Sequence, residues 1–247
     1  MTPPNPAAKL WLFDFDNTLA ALEREVDWPG SRRELEAWLR AQGVSDAVFA
    51  EIPKGNLPLY NLLHSRWLRA QSAECDAALP SAAAEALLRH ASGIIERHEL
   101  IGAARAAPTA GAIELLEAIA RRGAIAMVVT SNSSRTVAEW LARHGVDGRV
   151  HAIVGRNGLL ALKPSPEMVQ RAISMSGMTA AEAVFVGDSP ADYAAAGAAG
   201  VGFYGVGGSD AARDRLLAAG AVEVFASPGA LGVHLGLLTQ ADFTCSG

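Results

Sequence analysis

The chain has 247 residues, half of them apolar, and a net charge of −5, with 18 arginines but only three lysines, Lys9, Lys54 and Lys163. That length suffices for one sizeable core with an appended module, and an acidic balance without a basic stripe argues against nucleic acid and anionic membranes as partners. Two cysteines, Cys75 and Cys245, no apolar run of about 18 residues and no leader pattern over residues 2–6 lead to the expectation of a reduced, cytoplasmic protein.

The first predicted element is a buried strand, Leu10-Trp11-Leu12-Phe13, which runs into Asp14-Phe15-Asp16-Asn17-Thr18. A residue and its second neighbour share a strand face. Two carboxylates a few ångströms apart repel by roughly 4 kcal/mol at an effective dielectric near 20, so a divalent cation is the expected compensation. The plainer alternative is that Asp-Asn-Thr simply turns the chain. Helical spacing follows over 31–42, 57–71 and 81–99, with Trp38, Leu39, Leu62, Leu63, Trp67 and Leu68 as the apolar faces of a small bundle.

From residue 108 the pattern alternates. Helices are predicted over 110–122, 134–144, 166–176, 190–199 and 211–219, and strands over 124–130, 150–154, 183–187, 201–204 and 222–225, which is the cadence of a parallel α/β sheet. The first strand belongs with these. Residues 1–20 and 106–247 are therefore read as an α/β core, and 21–105 as a helical insertion lying over the strand ends, where such sheets bind ligands.

The apolar runs stop at chemically active residues. Residues 12–13 end at Asp14, 127–129 at Thr130-Ser131-Asn132, and 184–186 at Gly187-Asp188-Ser189, with Lys163-Pro164-Ser165-Pro166 between the last two. Taken alone, Thr-Ser-Asn-Ser caps the following helix well, and a helix start is also an anion site. Asp192 shares a face with Asp188 if a helical turn begins there.

In order and spacing, these segments resemble the four motifs of the haloacid dehalogenase superfamily, and the whole chain resembles its phosphoglycolate-phosphatase-like branch. The resemblance implies a Rossmann-like parallel-sheet core with an inserted α-helical cap of the C1 type, acting on a small phosphorylated metabolite. It implies Asp14 as a nucleophile that forms an aspartyl phosphate. Asp16 becomes the partner acid and base, with its carbonyl on the metal, and Thr18 orients it. The Thr130 hydroxyl and the amides of Ser131 and Asn132 cradle the phosphoryl group, and Lys163 neutralises the cluster. Asp188 is the direct metal ligand, with Asp192 standing behind it, and all-oxygen ligation points to Mg2+. Lys54 or Asn56, in the segment 51–56, falls where related caps touch the leaving group. Open alternatives are a phosphomutase, a phosphonatase using Lys54, and a non-catalytic binding protein.

Overall fold

A computed structural model describes residues 2–52, 55–71 and 81–242. Lys54, Cys75 and Cys245 lie outside the described residues. In chain order the elements are β1 (Leu10–Phe13), α1 (Trp28–Ala41), α2 (Asp46–Glu51), α3 (Asn56–Gln71), α4 (Ser81–Ala103), α5 (Ala112–Arg121), β2 (Ile125–Val129), α6 (Ser134–Arg143), β3 (Ala152–Val154), α7 (Glu167–Ser176), β4 (Ala183–Gly187), α8 (Pro190–Ala198), β5 (Gly202–Val206), α9 (Asp210–Ala219), β6 (Val224–Phe225) and α10 (Pro228–His234). Among the described residues no helix is long and apolar enough to cross a membrane.

The strands form one parallel sheet in the order β3-β2-β1-β4-β5-β6. β1 is central because all four of its residues are apolar and both of its faces are covered. Trp11 and Phe13 join the core shared with α5, α6 and α10, while Leu10 and Leu12 join the core shared with α7, α8 and α9. The period-two alternation of the strand thus divides one hydrophobic run between two helical layers. Trp11 stacks on Phe13 at 6.2 Å and donates its indole N–H to the Ala8 carbonyl. Phe15, just beyond the strand, meets Trp140 of α6 edge-on at 5.4 Å.

Among the described residues, the regular elements between β1 and α5 are all helical, as expected. Asp27 caps α1 by accepting from the Gly30 amide at 2.8 Å. The apolar residues Leu35, Leu39, Leu59, Leu63, Leu88 and Ile95 of α1, α3 and α4 bury against one another. Trp38 stacks on His90 at 4.3 Å. Leu68, expected in the bundle, is instead exposed.

Two helices went unforeseen. α2 is a six-residue helix capped by Ser45, too short for a period to show. α10 holds two glycines, and Gly232 is needed because a Cβ there would lie 2.7 Å from Leu238.

Strand order reverses between β1 and β4. The crevice at the carboxyl ends of these two strands is where such sheets place ligands. Phe13 lies in register with Val128 and with Val186, so Asp14, Thr130 and Asp188 all leave the sheet at nearly one level.

Candidate active site

Asp14 continues the line of β1, and its amide donates to the Val186 carbonyl at 2.9 Å. The side chain is buried and faces Lys163, whose Nζ lies 2.5 Å from Asp14 Oδ1. The same ammonium donates to the Val129 carbonyl at 3.1 Å and sits 2.5 Å from Asp192 Oδ1. The contact to Asp192 is an ion pair rather than an aligned hydrogen bond. One lysine thus joins the end of β1, the end of β2 and the helix after β4.

Asp192 is placed by its own helix start. Ser189 caps α8, and its amide and hydroxyl both donate to Asp192 Oδ2, at 3.1 and 2.6 Å. Gly187 makes room for this arrangement, since a Cβ on it would lie 2.8 Å from both Asp192 Cγ and Oδ2. Replacing Gly187 with Ala must push Asp192 away from Lys163. We expect a loss of about 1–3 kcal/mol of stability from overpacking and a fall in turnover, read from urea unfolding and initial rates.

The carboxylates of Asp14, Asp188 and Asp192 offer oxygens that all lie within 4.8 Å of one another. Burial, then repulsion by Asp14, Asp192 and Asp16, pushes Asp188 up to about 9. Burial is also the largest influence on Asp14, raising it to about 6 against the opposing Lys163 charge. Burial alone would lower the Lys163 pKa, but Asp14 and Asp192 together hold it well above that of an ordinary lysine. The cluster is short of positive charge, and its donors are all hard oxygens. It is fit to hold a metal ion.

Asp16 is partly buried, and its Oδ1 accepts from the Glu23 amide at 2.7 Å. Asn17, at φ 57°, turns the chain in the left-handed region and donates to the Glu23 carboxylate. Burial first and the Asp14 charge second push Asp16 up to about 8. Thr18, which the family resemblance casts as orienting Asp16, makes no side-chain hydrogen bond among the described residues. The Thr18 hydroxyl is buried without a partner, and its carbonyl accepts from Thr109.

The loop after β2 is held by contacts within the chain. Thr130 donates its hydroxyl to Asn132 Oδ1 at 2.9 Å and accepts from the Asn132 amide at 3.1 Å, so that amide is not turned outward to a ligand. The Asn132 side chain donates to Glu99 of α4 at 3.0 Å, and the Ser131 carbonyl accepts from Arg156 at 2.8 Å. Glu99 and Arg156, both almost wholly buried, were not anticipated. Asn56 is buried as well and donates to Ser31 of α1. On the β5–β6 side an open cleft of about 490 Å3 reaches Asp188, with Asn17, Glu23, Arg24 and Arg215 on its walls.

The family model for haloacid dehalogenase-like hydrolases matches residues 8–200. A phosphoglycolate phosphatase of Rhodospirillum rubrum is 34% identical over 130 residues, which cover 51% of this chain and 52% of that one. The match therefore spans about half the length of that curated relative. Among solved structures, a hydrolase from Pseudomonas syringae superposes with a TM-score of 0.60 at 23% identity, covering 93% of this chain and 98% of that one. CbbY from Rhodobacter sphaeroides, in complex with phosphate, gives 0.58 at 23% identity, covering 91% and 96%. Both likenesses concern the fold.

Proposed function

Because this chain belongs to the haloacid dehalogenase-like hydrolases, we propose that it is a phosphatase that hydrolyses small-molecule phosphomonoesters through an aspartyl phosphate on Asp14, in the manner of the phosphoglycolate phosphatases. One observation carries the reading: a buried carboxylate at the end of the central strand, gripped by a buried lysine within a cluster of further carboxylates.

Lys163 holds Asp14 Oδ1, which leaves Oδ2 to attack phosphorus. The O–P bond to the leaving group breaks as the new one forms, and the departing alkoxide takes a proton from Asp16. Asp16 is suited to this because burial and the neighbouring Asp14 keep it protonated at neutral pH. Water then gives Asp16 a proton and attacks phosphorus as the O–P bond to Asp14 breaks, which releases phosphate and restores Asp14 as a carboxylate and Asp16 as a carboxylic acid. Thr130 and Ser131 line the place of the transferring phosphoryl group, and Asp192 keeps Lys163 aimed at Asp14.

Asp14 and Asp188, with the Asp16 carbonyl, are the residues that would hold Mg2+. Bound there, the ion supplies the positive charge that lets a phosphate dianion approach this acidic site. Residues 21–105 serve as a cap that restricts access to small molecules and sheds water during chemistry.

The test is phosphate release from a panel of phosphomonoesters that includes phosphoglycolate, with Mg2+ present and no bisphosphate activator. Activity should disappear on exhaustive chelation and return with Mg2+. A flat profile across the panel, or full turnover after chelation, would overturn the reading.

A further inference from the structure

Arg156 follows β3 and Glu99 lies on α4, 57 positions apart in sequence. Both are almost wholly buried, at 0% and 1% exposure. The guanidinium grips the carboxylate as a fork, at 2.8 Å to Oε1 and 2.9 Å to Oε2. Its remaining donors go to the Ser131 carbonyl at 2.8 Å and to the hydroxyl and carbonyl of Ser92 at 3.1 and 3.4 Å. All five of its N–H groups are thereby used. Glu99 accepts in addition from Asn132 Nδ2 and the Ser133 amide, each at 3.0 Å, and from Thr136 at 3.4 Å.

Such a pair does little for stability, because the cost of removing two ions from water consumes most of their attraction, and apolar residues of similar volume commonly serve as well. What distinguishes this pair is its set of contacts. It fixes the carbonyl of Ser131, the amide of Ser133 and the side chain of Asn132, which in turn holds the Thr130 hydroxyl. Thr130 adjoins Val129, whose carbonyl anchors Lys163. The pair also spans from the insertion to the core, since Glu99 and Ser92 belong to α4, and Tyr60 of α3 donates to the Arg156 carbonyl at 3.2 Å.

We infer that Glu99 and Arg156 are positioning residues for phosphoryl transfer, which set the Thr130–Ser131–Asn132 loop from the insertion so that phosphate affinity depends on where α4 sits. The inference rests on the phosphatase reading above. A fully satisfied fork admits one arrangement of the loop, and a displacement of about 1 Å at such a position lowers rate by roughly a hundredfold.

The decisive variant is the double replacement Glu99→Leu with Arg156→Met. No charge is left stranded, but the Ser131 carbonyl, the Ser133 amide and the Asn132 side chain lose buried partners, so its melting temperature should fall while the chain stays folded. Its kcat/KM should fall by about a hundredfold, and inorganic phosphate should bind more weakly in calorimetric titration with Mg2+ present. If the double variant does not fold, Asn132→Ala, which cuts the link between Glu99 and Thr130, must reproduce the loss of phosphate binding. If it does fold, adding Asn132→Ala to it should cause little further loss, because the two act in series. Wild-type rate and phosphate affinity in a folded double variant overturn this inference alone. A wild type that neither binds phosphate nor turns over the panel overturns the phosphatase reading, and this inference with it.

Discussion

Replacing Asp14 with Asn is expected to lower phosphate release by at least about 10^4-fold, because an amide cannot attack phosphorus and the remaining groups act only around that attack. The fold should not suffer. Asp14 titrates near 6 in the folded chain, chiefly because burial disfavours its charge and despite the pull of Lys163. A carboxyl whose folded pKa exceeds its unfolded value weakens the fold as pH rises through that interval. Asn never ionises and so never exacts this cost, but it leaves Lys163 without the Asp14 carboxylate and with that of Asp192. In metal-free buffer at pH 7 the two effects oppose each other, and the variant should melt close to the wild type while releasing almost no phosphate. A variant that keeps a tenth of wild-type turnover would remove Asp14 from its role.

Asp16→Asn should separate the two halves of the reaction. Without a proton donor, esters with alkoxide leaving groups should lose about 10^2- to 10^4-fold in rate. p-Nitrophenyl phosphate, whose phenolate needs no proton to depart, should still phosphorylate Asp14. The second half also needs Asp16, to accept a proton from water, so the phosphoenzyme should accumulate. A burst of p-nitrophenolate followed by a slow steady rate is the expected record, with acid-stable phosphate on the protein. In the metal-free wild type Asp16 is pushed up to about 8, Mg2+ beside Asp14 would move the loss of its proton to lower pH, and raising the pH through that range removes the proton. Turnover of alkyl phosphates should fall there, and turnover of p-nitrophenyl phosphate should fall less. Equal loss of both substrates with no burst would assign Asp16 a purely structural part.

The parts of this architecture that show in the sequence are those written into short contiguous runs. Three apolar strands end within one residue of the same level of the sheet, so the polar residues that follow, Asp14, Thr130 and Asp188, are brought to one end of it. Lys163 stood out for its rarity in a chain rich in arginine. Glu99 and Arg156 did not, because a charged residue on a helix or in a loop ordinarily faces water. A signal was nevertheless present. Glu99 is four positions beyond Ile95 and eleven beyond Leu88, which places a carboxylate on the buried face of α4. The surroundings of Thr18 and Asn132 were hidden for a different reason, since the partners of the Thr18 carbonyl and of the Asn132 side chain, Thr109 and Glu99, are remote along the chain.

The central place of β1 bears on how the protein is made. Both of its neighbours, β2 and β4, leave the ribosome long after it does. At roughly 5–20 residues per second, an interval on the order of ten to thirty seconds separates the end of β1 from that of β4. Until β2 emerges the apolar tetrapeptide has two unpaired edges, and from then until β4 it has one, the condition under which strands join the wrong partner. The helices of the insertion emerge next and are the first surface on which Leu10 and Leu12 can shelter. Truncation of the insertion should therefore show in the yield of soluble nascent chain as well as in the choice of substrate.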